Sequence, residues 1–169
     1  LGVSSHVSEN MRVAYGERME PAPLWMSLRD SADAKRSPPK VFVKTRFRRR
    51  LNPAVAKAIA DLARRSPTPR RAMSHEAIVQ RLIYPIINEA VRCLDEKVVA
   101  SADDVDLAMV FGTGFAPFRG GPLRYADTVG IAKIVETLDR LSSEHTRFTP
   151  CDGLRRRAAA SERFHPVES

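Results

Sequence analysis

The clearest alternation of apolar and polar positions lies between residues 74 and 94. Apolar residues recur there in pairs about every four positions, which predicts an amphipathic helix with a wide buried face. The helix is expected to begin at Ser74, and Pro85 removes a backbone donor inside it and predicts a kink. Asn88 and Glu89 interrupt the apolar pairs, so we expect them to face water or a partner domain. The predicted buried face consists of Ile78, Val79, Leu82, Ile83, Ile86, Ile87, Ala90, Val91 and Leu94.

A second helix is predicted to begin at Ser101. Ser101 and Asp104 resemble a capping box, and Gly112 is expected to end the helix in the left-handed conformation. Pro122, beyond the glycine-rich stretch that follows, is suited to begin a further helical turn. The apolar positions of the second helix are Val105, Ala108 and Met109.

Two more helices are predicted towards the C-terminus. Asp127 or Thr128 is expected to cap the first of them, and the second is expected to cover residues 152–161. We expect the first to pack against the apolar face of residues 78–94. Its own apolar face consists of Ile131, Ile134, Val135, Leu138 and Leu141.

The region before residue 74 is less regular. Ser8 is expected to cap a short helix, Pro23 to begin a second, and Asn52 with Pro53 to begin a third. A short extended piece is predicted at residues 41–43. Residues 63–74 have the composition of a linker. The apolar positions of the first and third helices are Met11, Val13, Ala14 and Tyr15, and Val55, Ile59 and Leu62.

Composition indicates a soluble, globular protein. Of the 169 residues, 43% are hydrophobic and 28% charged, and no run is long and apolar enough for a membrane span or a secretory signal. The chain does not begin with methionine, so we expect position 1 to be a cut inside a longer protein. Cys93 and Cys151 have no partner at metal-ligand spacing, and we interpret them as reduced cytosolic thiols.

The glycine-rich stretch of residues 109–130 could cradle a phosphate or form a turn between helices. A dinucleotide fingerprint requires a buried strand before it and a third glycine where Pro117 stands, and no Gly-Lys-Ser/Thr follows for a Walker loop. We therefore interpret the stretch as a structural turn. Phe115 and Phe118 are expected to plug the core beneath it, and Pro117 and Pro122 to fix its exits.

The run from residue 81 to residue 130 resembles the C-terminal helical domain of 3-hydroxyacyl-CoA dehydrogenases. The resemblance is strongest to the second of two such domains in the multifunctional alpha subunits of fatty acid β-oxidation. The family typically has R-x-x-x-P-x-x-N-E-A, then G-x-G-F-P-P-F, then G-G-x-x-R-x-x-D-x-x-G, and this chain matches most of these positions at the same spacing. The matching residues are Arg81, Pro85, Asn88, Glu89, Ala90, Gly112, Gly114, Phe115, Pro117, Phe118, Gly120, Gly121, Arg124, Asp127 and Gly130, and Pro122 lies among them.

The resemblance implies an all-α fold of the 6-phosphogluconate dehydrogenase C-terminal type, with a short irregular basic segment. It also implies three parts. Residues 1–50 are the tail of the first helical copy with a divergent basic segment, residues 51–73 a short helix and linker, and residues 74–169 the second copy. Residues 31–50 lack the glycines of the family pattern, so their conformation does not follow from it.

The resemblance implies a parent enzyme that oxidises 3-hydroxyacyl-CoA with NAD. Gln80 stands where the family's assisting Asn would be, and no residue of this chain is predicted to be catalytic or to bind NAD or a metal. The histidines stand alone in the sequence, without a carboxylate or nucleophile at suggestive spacing. We therefore expect no NAD-dependent turnover by this chain alone. The histidines are His6, His75, His145 and His165.

The expected role is packing and contact between domains or subunits. The implied partners are the Rossmann and hydratase domains of the parent, a thiolase subunit, and a second copy of the chain through the helical domain. The implied location is the cytoplasm of a bacterium. Arg119 and Arg124, near the glycine stretch, either contact a neighbouring domain or face solvent.

An alternative function rests on charge. The chain carries a formal net charge of +8. The segment from Lys35 to Met73 contains thirteen Lys and Arg residues and only one acidic residue, Asp61. Such a segment attracts nucleic acid or the phosphates of CoA, with an affinity that falls steeply as salt rises. Only Phe42 and Phe47 are available there for stacking on bases, and no nucleic-acid motif accompanies them.

Overall fold

A computed structural model describes residues 2–29, 53–65 and 72–166, and the chain divides into two compact units, Leu1–Ala72 and Met73–Ser169. Every regular element in these described ranges is a helix, so the all-α prediction is confirmed. None of the helices in those ranges is long and apolar enough to cross a membrane. The extended piece at residues 41–43, Asn52 and most of the basic segment and linker lie outside the described residues.

The first unit contains three α-helices in its described part. Helix α1 spans Gly2–Tyr15 and is followed by a 3-10 turn, Gly16–Met19; helix α2 spans Pro23–Arg29, and helix α3 spans Pro53–Arg65. Pro23 and Pro53 each begin a helix as predicted. Ser8 was expected to cap α1, but the helix already begins at Gly2.

A small apolar cluster joins α2 and α3 in this unit. Val55 is fully buried, and Leu24, Ala58 and Ile59 pack against it. Val55 and Ile59 are one helical turn apart, so the predicted apolar stripe of α3 lies on the neighbouring helix.

The described part of the second unit, residues 73–166, contains five α-helices and two 3-10 turns. Helix α4 begins after Ser74, whose hydroxyl accepts a hydrogen bond from the Ala77 N–H at 3.1 Å, and it continues through Pro85 without a break. Helix α8 ends one residue before the predicted position. The elements are α4 His75–Asp95, α5 Ala102–Thr113, a turn at Pro117–Arg119, α6 Pro122–Val129, α7 Ile131–Ser142, a turn at Thr146–Phe148, and α8 Asp152–Ala160.

One apolar core joins α4 to α6, α7 and α8. The predicted packing of α4 against α7 is confirmed, since both contribute fully buried residues to the same cluster. Burial of one such aliphatic side chain stabilises the fold by about 1.5–3 kcal/mol, so this cluster dominates the stability of the unit. Its fully buried members are Ile87, Val91, Leu123, Ala126, Ile134, Leu138 and Leu154.

The buried face of α4 is shorter than predicted. Ile78 and Leu82, in the first two turns, are exposed. Helix α4 has 21 residues, whereas its partners α6 and α7 have 8 and 12, so they cannot cover its whole length. The apolar pattern of the first turns therefore remains uncovered within the described residues.

Asn88 does not face water, contrary to the prediction, because it is only 1% exposed. Its amide nitrogen donates to the Thr149 carbonyl at 2.9 Å, and its amide oxygen accepts from the Cys151 N–H at 2.8 Å. The side chain thus satisfies two backbone groups just before α8, which explains a polar residue on a buried face. Its neighbour Glu89 is half-buried, with its carboxylate 3.4 Å from Arg92.

Two of the predicted helix ends are wrong by a few residues. Gly112 adopts a helical conformation inside α5, and Gly114 takes the left-handed conformation instead, with φ of 75°. Helix α6 runs on to Val129, so Asp127 and Thr128 lie within it and cannot cap α7, whose N-cap is Gly130. Ser101 does cap α5, through a 3.2 Å bond from the Asp104 N–H.

The two cysteines are free thiols with different environments. Cys151 is buried, and burial raises the pKa of its thiol; Cys93 is half-buried. Because the thiolate is the reactive form, alkylation of the native chain at neutral pH is expected to label Cys93 at least about tenfold faster than Cys151. Peptide mass spectrometry measures both rates, and in urea they should become equal. Equal rates in the native chain would contradict the burial of Cys151.

Candidate functional site

The helix that follows the glycine-rich stretch begins against a carboxylate of the same chain. Asp106 of α5 is only 3% exposed, and its Oδ1 accepts a hydrogen bond from the Leu123 N–H at 2.7 Å. Its Oδ2 accepts from the Arg124 N–H at 3.0 Å. Since Pro122 has no N–H, Asp106 takes the donors of the second and third positions of α6, as a phosphate would in a nucleotide-binding loop.

This arrangement requires glycine at position 121. Gly121 is buried with φ of 116°, a conformation that other residues rarely adopt, and a Cβ built on it would overlap the Asp106 side chain. The glycine therefore lets the backbone approach the carboxylate closely enough for both hydrogen bonds. We call residues 114–122 the glycine corner.

A histidine from residues 161–166, which follow α8 and are called the C-terminal segment below, completes the surroundings of Asp106. His165 is 5% exposed, and its Nε2 lies 2.9 Å from Oδ2 of Asp106. Its Nδ1 lies 3.3 Å from Oδ1 of Asp103, one turn earlier on α5. His165 stands alone in the sequence, and carboxylates distant in sequence meet it in the fold.

Asp127 holds the same C-terminal segment through its backbone. Its two carboxylate oxygens accept from the N–H groups of Phe164 and His165, both at 2.9 Å. Arg124 lies beside Asp103, with 3.0 Å between guanidinium and carboxylate. Each of the buried carboxylates, Asp106 and Asp127, thus takes two consecutive backbone donors, which offsets the cost of burying its charge. We call Asp103, Asp106, Asp127 and His165 the aspartate–histidine centre.

The chemistry open to this centre is limited by its hydrogen bonds. A histidine acting as a general base needs one ring nitrogen directed at a substrate, whereas both nitrogens of His165 face carboxylates of the chain. Within the ranges that the structure describes, no group of three His, Cys, Asp or Glu side chains is arranged to hold a metal ion. The geometry is that of a structural network in which Asp106, Asp127 and His165 are buried and Asp103 is exposed.

The glycine corner does not fit the pyrophosphate of NAD. The backbone donors at the start of α6 are already bound to Asp106, and an open groove of about 350 Å³ beside them is lined by three carboxylates and one guanidinium. Negative charge at the donors repels a phosphate. The residues of this groove are Asp103, Asp104, Asp106, Leu107, Val110, Pro117, Gly120 and Arg124.

The other three histidines, Gln80 and Arg81 lie apart from the centre. His6 and His75 are exposed, and the ring of His145 accepts from the Arg147 N–H at 3.1 Å, which caps a 3-10 turn. Gln80, at the position of the family's assisting Asn, donates to Glu76 one turn earlier on α4 at 3.2 Å. Arg81 bonds both carboxylate oxygens of Glu144, at 2.7 and 2.8 Å, and so ties α4 to the end of α7.

The aromatic residues of the glycine corner differ from the prediction. Phe115 is half-buried, but Phe118 does not plug the core, because it is 84% exposed on the 3-10 turn that follows Pro117. The guanidinium of Arg119 lies 5.6 Å from the ring centre of Phe118 and 5.4 Å from that of Tyr125. Arg119 therefore stacks on aromatic rings at the surface, and Arg124 pairs with Asp103.

Sequence reasoning missed Asp103, Asp106 and His165 as members of one site. A signal was present for Asp106, which directly follows the buried Val105 on the inner side of α5. A carboxylate beside a buried position, upstream of a Gly-Gly-Pro helix start, has a ready set of backbone donors. No comparable signal marks His165, which lies 59 residues away.

Comparison with known proteins identifies the second unit. The family model of the 3-hydroxyacyl-CoA dehydrogenase C-terminal domain matches residues 78–163, half of the chain. A Vibrio cholerae protein named fatty acid oxidation complex subunit alpha is 47% identical over 100 residues, which is 59% of this chain and 14% of that protein. The protein of the same name from Vibrio vulnificus is 43% identical over 99 residues, 58% of this chain and 14% of its own length. The chain thus matches about a seventh of the length of these relatives.

A pair of glycine substitutions tests the close approach of Asp106. Gly121→Ala is expected to lower the free energy of unfolding by about 2–4 kcal/mol, through overlap and a strained φ. Gly112→Ala, in helical conformation with open space around its Cβ position, is expected to be neutral or to stabilise by up to about 1 kcal/mol. Urea denaturation followed by circular dichroism measures both. Equal effects of the two substitutions would rule out the packing described here.

Proposed function

The chain belongs to the 3-hydroxyacyl-CoA dehydrogenase C-terminal domain family, and on that premise we propose that it is a helical part of a fatty acid β-oxidation dehydrogenase. Its role there is domain packing and contact between domains or subunits. The parent reaction is the NAD-dependent oxidation of 3-hydroxyacyl-CoA to 3-oxoacyl-CoA in the cytoplasm. NAD binds in that parent to a nucleotide-binding domain that supplies the catalytic residues, while this chain contributes surfaces.

The observation that carries the proposal is the exposure of large apolar side chains around the glycine corner. Phe118 is 84% exposed and Phe111 of α5 is 82% exposed. Leu107 lies one turn before Phe111 on the same face of α5 and is also exposed, and Leu107 and Pro117 line one groove. Exposed aromatic residues of this kind are typical of surfaces that other protein surfaces cover.

The first turns of α4 add a second apolar surface. Ile78 and Leu82 lie one turn apart and are exposed, although their spacing continues the buried face of the same helix. The apolar face of this helix extends beyond the helices that cover it, and the uncovered part supports contact with a further domain. Both surfaces are available for packing against the rest of a parent enzyme or against a second copy of this chain.

The hydrogen bonds of the aspartate–histidine centre agree with a supporting role for this chain. Asp106 and His165 bind each other and the backbone of the same unit. Positioning of this kind affects catalysis indirectly, since displacing a reacting group by about an ångström can lower a rate by about a hundredfold.

Complementation in trans tests the proposal. A Vibrio cholerae alpha subunit lacking its matching region is expected to regain NAD-dependent oxidation of 3-hydroxyacyl-CoA when this chain is added, followed by NADH absorbance. The chain alone is expected to show no turnover. Phe111→Ser with Phe118→Ser is expected to weaken the restoring association at least about tenfold, because exposed aromatic residues dominate contact energy.

Val98→Ser is the matched control, since Val98 is also an exposed apolar residue of the second unit but lies in the loop after α4. Both variants should keep the helical circular dichroism of the chain, because exposed substitutions change stability by about 0.5 kcal/mol or less. Turnover by the chain alone would refute the supporting role. Equal association of the double variant and the control would remove the surface assigned to it.

A further inference from the structure

Two arginines lie in or just after the glycine corner, and their guanidinium groups are engaged differently. The guanidinium of Arg124 lies 3.0 Å from the carboxylate of Asp103, so its charge is used within the chain. The guanidinium of Arg119 lies over the rings of Phe118 and Tyr125. In the part of the chain that the structure describes, no carboxylate forms an ion pair with Arg119. Of the two arginines, Arg119 is therefore the one available to another protein surface.

The contact of Arg119 with the two rings leaves its hydrogen-bond donors unoccupied. A cation–π contact is an attraction between the charge and the face of the ring, and it does not use the N–H groups of the guanidinium. The rings also restrict the side chain before a partner binds, which lowers the entropic cost of association. Arg119 is thus a positioned set of donors, and a carboxylate is the acceptor that matches a guanidinium in two parallel hydrogen bonds.

The surface around Arg119 selects the kind of acceptor. The neighbouring Phe118 is 84% exposed, so an occupant must also cover an aromatic ring with apolar groups. Pro117 and Gly120, on either side along the chain, line the groove that holds three carboxylates and one guanidinium. The negative charge of that groove disfavours an anion with several charges, such as the phosphates of a nucleotide or of CoA. A single carboxylate among apolar side chains of a protein surface meets both conditions.

We propose that Arg119 receives an Asp or Glu carboxylate from another domain of the parent enzyme, with Phe118 in the apolar part of the same contact. The inference rests on the proposed function and adds the chemical identity of the partner group. Arginine and aromatic residues together are typical of the positions that dominate the energy of protein interfaces. A second copy of this chain is the competing occupant, and cross-linking distinguishes the two.

Association with the Vibrio cholerae alpha subunit that lacks its matching region tests the role of the charge. Arg119→Gln is expected to weaken association at least about tenfold, the effect of one charge-assisted hydrogen bond. Arg119→Glu is expected to weaken it further, because like charges then meet. Arg140→Gln, which alters an exposed arginine on α7, should associate as the unchanged chain does. Biolayer interferometry measures the dissociation constants, and all variants should keep their helical circular dichroism because the replaced side chains are exposed.

Cross-linking with a carbodiimide identifies the acceptor. Arg119→Lys keeps a positive charge and places a primary amine at the surface. The carbodiimide joins that amine to an adjacent carboxylate as an amide, and it takes up the water that is lost and becomes a urea. Mass spectrometry is expected to show position 119 joined to an Asp or Glu of the alpha subunit. Arg140→Lys is the matched control, and no product at position 140 is expected.

The outcomes separate this inference from the proposed function. Absence of association between the unchanged chain and the alpha subunit would refute both. Association that Arg119→Gln leaves unchanged would refute only the role of Arg119. The same conclusion would follow if Arg119→Lys associates without a product at position 119, or if the product joins position 119 to a second copy of this chain. If Arg119→Gln loses its helical circular dichroism, the cross-linking result decides.

Discussion

The second unit depends on one buried carboxylate at the start of a helix. Asp106 binds two backbone donors of α6 and the ring of His165, so a single side chain joins α5, α6 and the C-terminal segment. This contact requires glycine at position 121, because the Cβ of any other residue there would overlap the Asp106 carboxylate. Removing such a carboxylate would leave several buried donors without acceptors, each costing about 1–3 kcal/mol.

The same contact decides what the glycine corner can bind. A glycine-rich turn that leads into a helix offers backbone donors and a favourable dipole to any anion. Here the anion belongs to the chain, and the site is closed to a nucleotide phosphate. Conformational freedom at Gly121 therefore serves an internal contact, and the surface beside it, with Phe111 and Phe118, is exposed.

The fold could be predicted from the sequence further than the site. Helices α4 and α7 were predicted because their apolar residues repeat at helical spacing, and the Ser101 cap was predicted because a hydroxyl before a helix binds local donors. The burial of Asn88 was misjudged, and the contacts of His165 could not be read from the sequence, for one reason: their partners lie 61 to 63 and 59 residues away. A sequence pattern indicates contacts between residues within a few helical turns of each other. It does not indicate contacts with groups that are distant in the sequence. The exposed end of α4 was missed because the lengths of its covering helices were not known.

The long separation of these contacts determines how the unit can fold. Asn88, Arg81 and Asp106 each bind residues about 60 positions later in the chain. Helix α4 can therefore form these long-range hydrogen bonds only after the chain between the partners has closed into a large loop. The entropic cost of closing that loop comes before the hydrogen bonds stabilise the unit. We expect few stable partial structures along the way, with the first and last helices of the unit becoming ordered together.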